Sequence, residues 1–165
     1  MVKMRRKRSV DELLKASDAL FYELSMFNSL VRGMLSEIAG DSVINNALLE
    51  SFAIHVRALL GFFYSDNRTH PDDIVADDFF ADPTHWMSIR PAKTVILEKA
   101  HKRASKEIAH LTYARLKVKP EQKPWEYVPI SNDLDKIIEG FLNVVPRDLL
   151  GNRWDDFKKA ERKTV

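Results

Sequence analysis

The 165-residue chain has no cysteine, which removes disulfides, thiolate zinc sites, iron–sulfur clusters and cysteine nucleophiles at once. Five glycines and seven prolines are too few for a collagenous or low-complexity polymer, and 45% hydrophobic residues are too many for a wholly disordered chain. No run of 18 or more uncharged apolar residues occurs, so no membrane span is expected. The basic start MVKMRRKRSVDELL is not followed by the continuous apolar stretch of a secretory leader, and the resulting expectation is a cytoplasmic protein. The signatures GxxxxGK, GxGxxG and HExxH are also missing, and the aspartate-rich DDIVADDFFAD lacks the glycine and terminal glutamate of a calcium loop. A di-iron bundle needs two Glu-x-x-His pairs on facing helices, whereas Glu107 and His110 supply one. No metal and no cofactor are therefore expected.

Charge is nearly balanced, at +2, but it is laid out in blocks. Lys3, Arg5, Arg6, Lys7 and Arg8 crowd the start. Asp66, Asp72, Asp73, Asp77, Asp78 and Asp82 then face only Arg68, and residues 92–123 reverse the sign with nine lysines and arginines against Glu98, Glu107 and Glu121. Concentrated positive charge suits an anionic partner such as nucleic acid, with Arg5, Arg6, Arg8, Lys99, Lys102 and Lys106 as the expected backbone contacts. The plainer reading of the same blocks is solvated helix faces.

Apolar residues recur at helical spacing from Leu13 through Leu20, Leu24, Phe27, Val31, Met34 and Ile38, which predicts one long helix stopped by Gly40. Ser9 and Glu12 have the spacing of a capping box at its start. Leu14, Phe21 and Leu35 widen the stripe beyond what one neighbour needs, and this flank points to a homodimer. Asp41 or Ser42 can cap a second helix whose Ala47–Phe63 stretch is apolar almost all round, as expected of a central helix. Residues 66–90 read as a long acidic ordered loop with one helical turn, held down by Ile74, Val75, Phe79, Phe80 and Trp86. Pro91 is suited to open a third helix running to about residue 116. Pro120, Pro124 and Pro129 postpone a fourth until a Ser131 cap, Pro146 ends it, and a short piece follows at 149–159. The expected fold is all-α: an antiparallel bundle of four main helices spanning residues 9–165 as one domain, behind a basic arm of residues 1–8.

Five histidines need separate weighing. His55 falls on an apolar arc with Phe52 and Leu59 and reads as a satisfied core or interface residue, while His70 and His85 sit beside prolines in the acidic loop, where turn and surface roles are the default. His101, Ser105 and Thr112 share an edge of the third helix, and Arg115 points towards its apolar face. Arg103 and His110 lie seven residues apart, so on a continuous helix they share one stripe with Glu107 between them. Arg can clamp a phosphodiester with its planar fork, and His can transfer protons near neutral pH.

At Arg103 and His110, which enclose six residues, the sequence resembles the HEPN superfamily of all-α proteins, whose hallmark is Arg, four to six residues, then His on a helix. The resemblance implies a metal-independent endoribonuclease acting as a homodimer with a composite site, in a toxin–antitoxin, defence or RNA-processing setting. Arg103 and His110 would then be catalytic, and RNA and a cognate antitoxin or other protein would be the partners. The competing expectation is a noncatalytic helical module that docks a protein or nucleic acid through apolar or aromatic surface near Trp86, Trp125, Tyr127 and Trp154.

Overall fold

The computed structural model describes residues 6–35, 42–65, 72–119, 121 and 123–155. Among them every regular element is helical, and the fold is all-α, with the long helices packed against one another. Helix α1 spans Val10–Leu35, α2 Ser42–Tyr64, α3 His85–Ile89, α4 Val95–Arg103 and α5 Tyr127–Val144. A π turn, Ala104–Ile108, continues α4.

The capping box forms as its spacing predicts: the Ser9 amide donates to Glu12 Oε2 at 2.9 Å and the Glu12 amide to Ser9 Oγ at 3.2 Å. Leu13, Ala16, Leu20, Leu24, Phe27 and Leu30 follow as the buried face of α1. Helix α2 lies antiparallel to it, with Phe52 stacked on Phe27 at 5.7 Å and His55 Nδ1–H donating to Glu23 Oε2 at 2.7 Å. His55 is thus the satisfied, buried histidine its arc suggests. By length and composition Val43–Tyr64 could cross a membrane, yet Phe52, Val56, Leu59, Leu60 and Phe63 are core residues of the bundle, which accounts for that apolarity.

Within the acidic segment, Ala76–Phe79 forms a 3-10 turn and α3 follows it. Phe79 and Trp86 are fully buried, and with Phe62, Phe63 and Phe141 they build an aromatic cluster with centroids 4.9–6.0 Å apart, edge-to-face except for the tilted Phe63–Trp86 pair. The carbonyl of Phe63, in the last turn of α2, accepts from both Trp86 Nε1 and Arg90 Nη1 at 3.0 Å. No basic residue lies in that last turn, so Arg90 brings the cation that a helix C-terminus favours from a neighbouring segment.

Three boundaries differ from expectation. Helix α4 opens at Val95 rather than Pro91, because Thr94 Oγ1 accepts the Leu97 amide at 3.3 Å and also donates to Asp133 Oδ2 at 2.8 Å, tying α4 to α5. It does not run to residue 116: the Ala109 amide reaches back to the Ala104 carbonyl, closing the π turn, and Tyr113–Lys117 is a separate 3-10 turn. Helix α5 begins before Ser131, since Pro129 occupies its first turn, where no intrahelical partner for an amide hydrogen exists. After α5, the Gly151 amide donates to Ser17 Oγ at 3.1 Å and Trp154 meets Phe21 edge-on at 5.5 Å. The chain's own C-terminal turn therefore covers part of the α1 flank assigned to a second copy. The expected stop at Gly40, the cap at Asp41, the charges Asp66 and Arg68, and residues 156–159 lie outside the described residues.

Candidate nucleic-acid interface

Helix α4 and its continuation present Lys99, Lys102 and Lys106 to solvent, followed by exposed Arg115, Lys117 and Lys119. Lys99 has one distant carboxylate, Glu126 Oε2 at 3.7 Å. Exposed Leu111, Tyr113 and Leu116 are interspersed with these cations and keep 92%, 86% and 81% of their surface. Arg115, expected on the apolar face of a longer helix, is exposed because the helix has already ended.

The Arg103–His110 stripe does not form as the spacing suggests. The Arg103 side chain is only 12% exposed, and each nitrogen of its guanidinium donates a hydrogen bond. Its Nε donates to both oxygens of Glu107, at 3.0 and 3.2 Å, Nη1 donates to the Pro124 carbonyl and Nη2 to the Lys123 carbonyl, each at 3.0 Å. Its flat face lies over the Trp125 ring at 4.5 Å. These contacts pin the segment before α5 onto α4, and Trp125 in turn meets Phe52 of α2. His110 stands past the end of the π turn, exposed, in a bend that Thr112 stabilises by donating from Oγ1 to the Lys106 carbonyl at 2.6 Å.

The N-terminal cations are placed elsewhere. Arg6 pairs with Glu12 at 2.8 Å, Arg8 approaches the same carboxylate at 3.8 Å, and Arg8 shares a surface hollow with Asp72 and Asp78 of the acidic segment. Backbone and side-chain hydrogen bonds from Ser9 and the cations Arg6 and Arg8 hold Glu12 below the usual carboxylate range. Arg6 and Arg8 are thus engaged by carboxylates of the chain itself, and α1 and α4 flank α2 rather than joining their basic residues into one patch. Arg5 lies outside the described residues.

One meeting of residues escaped the sequence. His101 on α4 is half-buried, and burial first, then Lys93 and Arg57, push its imidazole below the ordinary histidine value. Arg57 Nε donates to Ser105 Oγ at 3.2 Å, a contact across 48 positions. The shared edge of His101 and Ser105 was readable in the spacing; the arrival of Arg57 opposite it was not. Among the described residues no group of three or more His, Asp or Glu is placed to hold a metal.

No family model, no curated protein and no solved structure matches the chain.

Proposed function

We propose that the chain is an RNA-binding helical module, whose α4 surface and the segment after it hold the anionic backbone through Lys99, Lys102, Lys106, Arg115 and Lys117. The observation that carries this reading is the state of Arg103. A guanidinium committed to Glu107, two carbonyls and the Trp125 ring, on a side chain only 12% exposed, organises the fold and is held away from the fork geometry that would clamp a scissile phosphate. The lysines beside it are exposed, with exposed Tyr113 available for stacking on an unpaired base. Binding of a labelled single-stranded RNA, followed against salt concentration, tests the proposal: phosphate contacts give a steep linear loss on a log–log plot, and flat or absent binding removes it.

A second reading, a HEPN-like metal-independent endoribonuclease, draws support from the π turn. Such turns are rare and recur at functional sites, and this one separates Arg103 from His110. His110 is exposed and could transfer a proton; Arg103 would first have to leave Glu107. RNA cleavage that persists in EDTA and is lost in His110→Ala would make this reading the better account.

A further inference from the structure

A group of donors on the other side of α4 has no part in the surface just described. Arg57, Gly61 and Tyr64 occupy one stripe of α2 at i, i+4 and i+7 spacing. Opposite them stand Lys93 in the connector, His101 on α4 and Ser105 in the π turn. Ser105 Oγ accepts from Arg57 Nε at 3.2 Å, which sets the direction of the guanidinium while its two terminal nitrogens have no partner among the described residues. Lys93 Nζ lies 4.9 Å from the Tyr64 ring centroid, so its charge is held beside the same stripe. Gly61 leaves the floor open: a Cβ built there meets nothing within 4 Å.

We propose that Arg57, Lys93, His101 and Ser105 form a binding site for a phosphate group. The chemistry fits a multiply charged tetrahedral anion better than a lone carboxylate. Arg57 offers a planar fork, Lys93 a point charge and Ser105 a hydroxyl, from three different segments, so several oxygens can be met from different directions. One exposed carboxylate, Glu98, borders the neighbouring hollow with Tyr64 and Lys93, and no carboxylate among the described residues pairs with Arg57. Burial chiefly, and then the charges of Lys93 and Arg57, lower the basicity of His101 and favour a neutral imidazole whose N–H can donate. The site goes beyond the RNA reading, because a free phosphate ion and a phosphate on a nucleotide chain present the same oxygens.

Isothermal titration of the whole chain with inorganic phosphate, at ionic strength fixed with chloride, tests the site. Wild type should bind one phosphate, with Arg57→Gln weakening it about tenfold or more. Gly61→Glu, whose Cβ meets nothing within 4 Å and which adds a negative charge to the same stripe, should abolish binding while the helical circular-dichroism signal stays intact. A Lys99→Gln, Lys102→Gln, Lys106→Gln variant should keep phosphate binding, separating this site from the RNA surface. Competition by a 5′-phosphorylated oligonucleotide alone would assign a terminal phosphate as the source, equal competition by the unphosphorylated strand a backbone phosphate, and no competition by either a free ion. Absence of phosphate binding by wild type, or equal binding by wild type, Arg57→Gln and Gly61→Glu, overturns the proposal.

Discussion

The guanidinium of Arg103 lies 4.5 Å over the ring of Trp125, and this stacking, with two carbonyl hydrogen bonds from the same side chain, fastens the connector before α5 to α4. Arg103→Ala should destabilise the protein by about 3 kcal/mol in urea unfolding, since it strands Glu107 and two carbonyls and uncovers an indole. Arg103→Lys should lose most of that amount, because an ammonium cannot reproduce three directed contacts and a planar stack. A loss within about 0.5 kcal/mol for Arg103→Ala would show that the side chain is not a structural tie.

Phe141 touches the rings of Phe62, Phe63, Phe79, Phe80 and Trp86 at centroid distances of 5.4–6.0 Å. Phe141→Ala should cost about 3–5 kcal/mol, the range for emptying a buried aromatic position. Because the cluster joins α2, α3, the 3-10 turn and α5, near-ultraviolet circular dichroism should weaken as well. An unchanged denaturation midpoint would contradict the packing.

Thr94 caps α4 and bonds to Asp133 on α5. Thr94→Ala should cost about 1 kcal/mol and Thr94→Ser much less, because Ser keeps the hydroxyl. Denaturant midpoints for the two variants check the ranking, and a Ser variant as weak as the Ala variant would reject the cap.

What the sequence could reveal follows the range of the interactions concerned. Stripes of 3.6-residue period and the Ser9–Glu12 pair are local, so α1, α2 and the capping box were legible, as was the buried role of His55. The end of α4 was not legible. Leu111 and Leu116 continue an acceptable helical pattern, and only the Ala109–Ala104 hydrogen bond and the Thr112 side chain show where the helix stops. Pro129 looked like a barrier but sits in the first turn of α5, where proline is tolerated. The duties of Arg103 and the convergence of Arg57 on Ser105 depend on segments 20 to 48 positions away, which spacing along one helix cannot disclose.

His101 gives a pH dependence whose sign is fixed. Its folded basicity lies below the free value of 6.5, chiefly through burial, so the unfolded chain takes up a proton more readily. Stability should be unaffected by this residue well above pH 6.5 and should fall as pH drops through 6.5 towards the depressed folded value. Urea midpoints of wild type and His101→Gln between pH 7.5 and pH 5 measure it, and the difference between the two should change across that interval. Parallel curves would remove His101 as a contributor.

The proposed RNA binding would rest on the exposed lysines of α4, and fluorescence anisotropy of a labelled single-stranded RNA across a salt series addresses them most directly. Wild type should show a linear log–log loss of affinity, and Lys99→Gln, Lys102→Gln, Lys106→Gln should lower the magnitude of that slope by about 2, at roughly 0.7 per phosphate contact. An affinity independent of salt, or a slope unchanged in the triple variant, would contradict the assignment of this surface to RNA.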